Sequence, residues 1–302
     1  MPRKLLIAAD VDRAFIDRIR RDERFNVRHQ PVRTADELEA AIGDAEILVT
    51  RAYNDVTRRV LDAAPQLKLI AQGTSGTDNI DEAAVRERGI HVISLPGENA
   101  NAVAELVIGF MIALTRTVPF YDRQMRDGVW QRDDCATRHE LAHFRLGIIG
   151  LGQVGGRVAR MAAAFSMKVR AFDPYINDAR CVATLDELLT ESDIITLHVP
   201  LNAETSKMIA APQLAKLPRG AYVINASRGG VLDVQAAFDA LAADHLAGIA
   251  LDVYEPEPPN ITFPNDPRII LTPHIAGCTT EAKASIGAKL YEKLIAHYFI
   301  GA

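Results

Sequence analysis

Three ionisable residues each stand just beyond a short apolar run. Arg228 lies in Asn225-Ala226-Ser227-Arg228-Gly229-Gly230, Glu257 in Asp252-Val253-Tyr254-Glu255-Pro256-Glu257-Pro258, and His274 in Thr272-Pro273-His274-Ile275-Ala276-Gly277. The preceding runs, 222–225, 249–251 and 269–271, read as buried strands, and open α/β sheets gather their ligands at the C-terminal ends of strands. A guanidinium is a planar fork that matches a carboxylate. A histidine exchanges protons near neutral pH, and a carboxylate beside it favours the charged imidazolium. Taken singly, each has a plain explanation: a surface arginine, a core histidine, a solvated glutamate. Taken together they supply what a small, carboxylate-bearing hydride acceptor needs: an anchor, a proton donor and a group that keeps the donor charged.

A second motif supplies the other half of such chemistry. Gly150-Leu151-Gly152-Gln153-Val154-Gly155 is a G-x-G-x-x-G placed between the apolar run 146–149 and a helical pattern over 154–165, the context that gives this motif meaning. Gly150 serves the tight turn, Gly152 lets backbone approach a pyrophosphate, and Gly155 lets helix and strand close up. The N–H groups at the helix start, around Gln153 and Val154, face the phosphates. The next apolar run, 169–172, ends at Asp173, 18 residues past Gly155. A carboxylate there accepts from a ribose 2′-OH and repels a 2′-phosphate, so NAD is expected rather than NADP.

Ten short apolar runs form the frame: 5–9, 47–49, 67–71, 91–93, 146–149, 169–172, 194–199, 222–225, 249–251 and 269–271. Helical spacings separate most of them, which predicts βαβ units and parallel sheets. Ten strands exceed one comfortable sheet, and 302 residues suggest about two domains. The spacing of Val103, Leu106, Val107, Phe110, Met111 and Leu114 predicts one long helix over 101–127, a packing element or subunit interface. The prolines of 255–267 predict a loop.

Composition narrows the partners. With 34 Lys+Arg against 39 Asp+Glu, net −5, the chain lacks the basic excess of a nucleic-acid binder, so small-molecule partners and no nucleic acid are expected. The longest apolar stretch, 106–114, is half a membrane span, and the run at 5–9 is too short for a signal peptide, so no membrane partner is expected. Cys135, Cys181 and Cys278 are widely spaced and odd in number. They form neither a disulfide framework nor a CxxC motif, so no metal is expected, and a reducing, cytoplasmic compartment is.

The motifs, in order, resemble those of the D-isomer-specific 2-hydroxyacid dehydrogenases, the group containing phosphoglycerate, glycerate and formate dehydrogenases. The likeness includes Gly73-Thr74-Ser75-Gly76-Thr77-Asp78-Asn79-Ile80-Asp81, Gly97-Glu98-Asn99 leading to Val103-Ala104-Glu105-Leu106, the dinucleotide turn, His198-Val199-Pro200-Leu201, and the segments 225–230, 252–258 and 272–277. The resemblance implies two Rossmann-like or flavodoxin-like parallel-sheet α/β domains with a cleft between them. Residues 1–98 and 276–302 would form a discontinuous substrate-binding domain, and 99–275 the NAD-binding Rossmann domain.

It also implies roles. Arg228 would bind the substrate carboxylate and carbonyl, His274 would be the acid/base, and Glu257 would pair with it. Ser75 and Gly76 would hold the carboxylate through backbone N–H groups, and Arg51 would contact substrate. Asp252 would contact the nicotinamide amide, while Val199, Pro200 and Ala226 would line the cofactor cleft. The region 101–130, including Trp130, would form a homodimer interface. Three departures stand out: 174–182 is shorter than the resemblance implies, Ser166 occupies a position where Gly is usual, and Glu257 is not the Gln of formate dehydrogenases.

The expected activity is reversible hydride transfer between NAD(H) and a small D-2-hydroxy acid or 2-keto acid: glyoxylate, hydroxypyruvate or 3-phosphohydroxypyruvate. Arg51 and nearby Arg58 and Arg59 would accept the phosphate of the last, or else form a solvated helix face. The rival reading is a dinucleotide-sensing, corepressor-like scaffold of the same fold, which the intact Arg228, Glu257 and His274 set disfavours.

Overall fold

A computed structural model describes residues 1–133 and 138–300. Cys135 lies outside the described residues. The chain divides into two units, Met1–Asn99 with the segment from Cys278 onward, and Ala100–Gly277.

In the first unit five parallel strands, β1 (Arg3–Ile7), β2 (Phe25–His29), β3 (Ile47–Thr50), β4 (Leu69–Gln72) and β5 (His91–Ile93), lie in the order β2-β1-β3-β4-β5. Side chains alternate between the two faces. Leu6, Leu48 and Ile70 enter one core; Leu5, Ile7, Ile47, Val49 and Leu69 enter the other. The second core is completed by the helix Thr280–Ile295, whose Ile286, Leu290 and Leu294 recur every four residues and pack with Phe15 and Ile19 of the helix Arg13–Arg21. The Tyr291 hydroxyl donates to Asp22 at 2.9 Å. The Arg24 guanidinium beside Asp22 holds that carboxyl down at about 2. β2 adds a strand that the sequence pattern did not reveal. Its burial alternates, with only Phe25 fully buried, as suits an edge strand.

The second unit contains β6 (Arg145–Ile149), β7 (Lys168–Phe172), β8 (Ile194–Leu197), β9 (Ala221–Asn225), β10 (Leu246–Leu251) and β11 (Ile269–Leu271), all parallel, in the order β11-β10-β9-β8-β6-β7. The strand order reverses between β6 and β8, the point at which such sheets bind ligands. The short segment after Asp173 rejoins the sheet at once. Cys181 bridges Ala171 in parallel, with Ala171 donating to Arg180 and Val182 donating to Ala171, each at 2.9 Å. One bridge thus stands beyond β7 where the usual dinucleotide-fold order 3-2-1-4-5-6 has a whole strand. Ser166, before β7, has φ +60, the left-handed conformation that favours glycine.

The expected single helix over 101–127 is two helices, Ala100–Thr115 and Val118–Arg126, bent by 64°. Pro119 lacks an N–H and its ring displaces the carbonyl one turn back, and Thr117 between the helices turns left-handed at φ +50. The first helix is largely buried and packs with the helix Gln153–Ala164 against the sheet. Among the described residues no single helix is long and apolar enough to cross a membrane.

Candidate active site

At the end of β6 the chain turns through Gly150 at φ +89. A Cβ there would lie 2.5 Å from the His198 carbonyl oxygen, so only glycine fits. At Gly155 a Cβ would sit 2.0 Å from the Gly150 carbonyl oxygen, which makes the glycine the condition for helix and turn to meet. Gly152 differs: a Cβ there would meet nothing within 4 Å. It is the N-cap of Gln153–Ala164 and offers no side-chain cap. The first turn of a helix has N–H groups without intrahelical partners, and those of Gln153 and Val154 face this opening without a side-chain acceptor from the cap. An open backbone cradle with donor groups fits a pyrophosphate. Asp173, at the end of β7, is tied to it: Oδ2 accepts from the Leu151 N–H at 2.8 Å and Oδ1 from the Tyr175 N–H at 3.0 Å. Each carboxylate oxygen keeps a further acceptor position, as ribose hydroxyls require. At the end of β8 Val199 is half-buried and Pro200 exposed, while Ala226 after β9 is buried.

The ends of β9, β10 and β11 carry the ionisable group. The His274 Nδ1 lies 2.7 Å from Glu257 Oε2, and the second Glu257 oxygen accepts from the Tyr254 N–H at 3.1 Å. Burial pushes the Glu257 carboxyl up, but the hydrogen bond and charge of His274, the Tyr254 N–H and the charge of Arg228 outweigh it and hold it below its ordinary range. Arg228 is half-buried, and its Nη1 donates to the Ser227 carbonyl at 2.8 Å. Gly229 beside it is buried. A Cβ there would lie 2.0 Å from the Tyr254 carbonyl carbon and 2.6 Å from the Glu255 nitrogen, so the arginine loop and the glutamate loop touch backbone to backbone.

His274 has φ +53, a sparsely occupied conformation for a non-glycine residue that marks a position held by its surroundings. Asp252 does much of the holding. It is fully buried; its Oδ1 accepts from Thr272 Oγ1 at 2.6 Å and Ile275 N–H at 2.8 Å, its Oδ2 from Ala276 N–H at 2.9 Å, and its carbonyl from His274 N–H at 2.8 Å. Asp252 therefore shapes the histidine turn, a task the sequence reading did not assign it; its contact with a nicotinamide amide stands on the resemblance. Tyr254 ties the same loops, its hydroxyl lying 2.9 Å from the Thr272 carbonyl and 3.1 Å from that of Leu251. Burial, with Asp252 and Glu257 nearby, pushes this phenol up to about 12, so it remains a donor at neutral pH.

The residues expected on the substrate side lie in the first unit. Arg51 is buried, with Nη1 3.4 Å from the Asp10 carbonyl and Nη2 3.9 Å from Cys278 Sγ. Ser75 is exposed and its hydroxyl donates to the Leu95 carbonyl at 3.2 Å. The Gly76 carbonyl accepts from Gln72 Nε2 at 3.1 Å. A chain of amides joins the two places: Gln72 Nε2 donates to Asn79 Oδ1 at 2.8 Å, and Asn79 Nδ2 donates to the carbonyls of Arg51 and Asn54. Arg58 pairs with Glu87 at 2.7 Å, and Arg59 with Glu39 at 2.5 Å and Asp36 at 3.2 Å. They form a charged helix face.

Fold and site together define an α/β protein with a dinucleotide cradle and an arginine, glutamate and histidine at neighbouring strand ends. Residues 108–276 match the family described as D-isomer specific 2-hydroxyacid dehydrogenase, NAD binding domain. The chain is 36% identical to the D-3-phosphoglycerate dehydrogenase of Archaeoglobus fulgidus, over 97% of this chain and 56% of that one. It is also 36% identical to the hydroxypyruvate reductase of Thermotoga maritima, over 86% and 87%. The chain thus spans little more than half the length of the first of these relatives. A D-lactate dehydrogenase from Aquifex aeolicus, solved with NAD and lactic acid, superposes with a TM-score of 0.88 at 28% identity, covering 97% of this chain and 95% of its own. The chain belongs to the D-isomer-specific 2-hydroxyacid dehydrogenase family, and its second unit carries that family's NAD-binding domain.

Proposed function

We propose that this chain is an oxidoreductase that interconverts a small 2-keto acid and its D-2-hydroxy acid. The observation that carries the reading is the 2.7 Å His274–Glu257 pair held against the Arg228 loop. NAD would be held by the Gly150–Gly155 turn, the N–H groups of Gln153 and Val154 and the Asp173 carboxylate, with Val199, Pro200 and Ala226 beside it; bound there, its reduced nicotinamide supplies the hydride.

This chain's own residues do the rest. Arg228 grips the carboxylate and polarises the carbonyl. His274, with Nδ1 committed to Glu257, delivers a proton from Nε2 to the carbonyl oxygen during reduction and takes it back during oxidation. Glu257, ionised throughout the neutral range, fixes the ring through its 2.7 Å contact with Nδ1. The substrate is glyoxylate, hydroxypyruvate or 3-phosphohydroxypyruvate; Arg58 and Arg59 are engaged with carboxylates, so a phosphate would fall to Arg51.

Initial rates with NADH and each of the three keto acids test the proposal. Turnover of at least one supports it; tight NADH binding with turnover of none would overturn it in favour of the scaffold reading. The cradle has its own check. Gly152→Ala adds a methyl that meets no protein atom within 4 Å, so Tm should stay within about 2 °C of wild type. The methyl would face the pyrophosphate, so NADH binding measured by calorimetry should weaken at least ~10-fold.

We further propose a homodimer through the bent helix pair and the segment after it. Ile112, Val118 and Met125 are exposed and line one shallow surface of the helix pair, and Val129 and Trp130, shortly after it in the chain, are exposed as well, Trp130 at 73%; large exposed apolar patches mark interaction sites. Light scattering should give twice the chain mass of 33.0 kDa. Val118→Asp with Met125→Asp should give the single mass; a wild-type monomer would defeat the idea.

A further inference from the structure

We infer that Asn225 is the positioning residue for Arg228 and acts on the substrate only through that arginine. The inference rests on the assignment of Arg228 to the substrate carboxylate made above.

Asn225 is the last residue of β9 and is fully buried. A buried amide needs hydrogen-bond partners, and this one finds them in the next three residues. Its Oδ1 accepts from the Ser227 N–H at 3.1 Å and the Ser227 hydroxyl at 2.9 Å, and its Nδ2 donates to the Arg228 carbonyl at 2.9 Å. An amide rotated by 180° would set its oxygen against that carbonyl and its NH2 against the Ser227 N–H, so the network allows one orientation. The side chain closes residues 225–228 into a ring that fixes the backbone from which Arg228 projects. The Ser227 carbonyl inside this ring then accepts from the arginine's own Nη1.

The ring is also referenced to the histidine. Asn225 lies opposite Leu251 in the β9–β10 register, and its carbonyl accepts from the Asp252 N–H at 2.9 Å. Asp252 holds the His274 turn as Asn225 holds the Arg228 turn. Two buried polar residues, bonded backbone to backbone at neighbouring strand ends, thus set the carboxylate anchor and the proton donor at a fixed spacing. Such spacing matters because displacements of about 1 Å cost ~100-fold in rate.

A double-mutant cycle on the full chain tests this, using NADH with glyoxylate or hydroxypyruvate and the proteins wild type, Asn225→Ala, Arg228→Ala and the double variant. Asn225→Ala should lower kcat/KM by ~10–100-fold in the wild-type background. In the Arg228→Ala background it should lower it less than about 3-fold, because the group it positions is already gone. NADH dissociation constants should agree within about 2-fold across all four. Equal fold-losses in both backgrounds, or a matching loss of NADH affinity, would overturn the inference and leave Asn225 a general support of the fold. Near-wild-type kcat/KM in Arg228→Ala would instead overturn the arginine assignment, and the inference with it. Where Asn225→Ala does not fold, Asn225→Asp takes its place in the same cycle: it keeps the shape and the acceptor but turns an oxygen against the Arg228 carbonyl, with the same outcomes expected.

Discussion

Replacing His274 by asparagine is expected to lower kcat for keto-acid reduction by ~10²–10⁴-fold, the usual contribution of a positioned general acid, while leaving NADH affinity almost untouched. Asparagine is the informative replacement because it adopts the left-handed conformation more readily than alanine, and this position sits at φ +53. The backbone bond from residue 274 to the Asp252 carbonyl survives, so the turn keeps its shape. A second readout follows from Glu257. In the wild type its carboxyl is held below the ordinary range. A depressed carboxyl contributes stability that is complete above the ordinary carboxylate range and is lost as pH falls through the depressed value. Removing His274 removes the two strongest influences that lower it and leaves burial, the largest of all and opposite in sign, against only the Tyr254 N–H and the charge of Arg228. The stability gap between wild type and variant should therefore be widest at neutral pH and should close as pH falls through the depressed value, as followed by denaturant unfolding at several pH values. A kcat within ~3-fold of wild type for every keto acid turned over would remove His274 from the acid/base role.

Gly229→Ala should be nearly as damaging by a different route. The added methyl would lie 2.0 Å from the Tyr254 carbonyl carbon and 2.1 Å from its oxygen. No side chain can swing aside, since both partners are backbone. The loop bearing Arg228 must then part from the loop bearing Glu257, while the Gly150–Gly155 cradle, at the end of β6, is left as it was. We expect kcat/KM to fall by at least ~100-fold, as misplacement of reacting groups by about 1 Å does. NADH affinity should change by less than about 3-fold, and Tm should fall by several degrees, the ordinary outcome of overpacking by one methyl. Wild-type kinetics in Gly229→Ala would mean that the two loops need not touch for the site to work.

How much of this could be read from the sequence depends on whether the physics was local. The cradle could be read because a strand, three glycines at fixed offsets, a helix and an acid are all neighbours in the chain. The ends of β9, β10 and β11 could be read for the same reason, since each ionisable residue stands three to six residues past its apolar run. β2 escaped because Phe25-Asn26-Val27-Arg28-His29 has too few apolar residues to mark it; its pairing with β1 makes it a strand. The break in the long helix was signalled by Pro119, yet the apolar spacing on the preceding turns masked it. Asn225, Asp252, Gln72 and Asn79 were invisible as positioning groups because a polar residue at a strand end does not announce which backbone it will meet. Arg58 and Arg59 had two readings, and only the distances to Glu87, Glu39 and Asp36 separated them.

The helix Thr280–Ile295 completes the second core of the first unit from the far end of the described chain. During synthesis this has an awkward consequence. Residues 1–99 leave the ribosome with Leu5, Ile7, Val49 and Phe15 still lacking the Ile286, Leu290 and Leu294 that cover them. The 178 residues from Ala100 to Gly277 must be made first, which at about 5–20 residues per second takes roughly 10–40 s. The second unit is contiguous and can fold as it emerges. Of the two units, the one begun earlier is therefore the one finished later, and in that interval its uncovered sheet is open to aggregation or to capture by a chaperone.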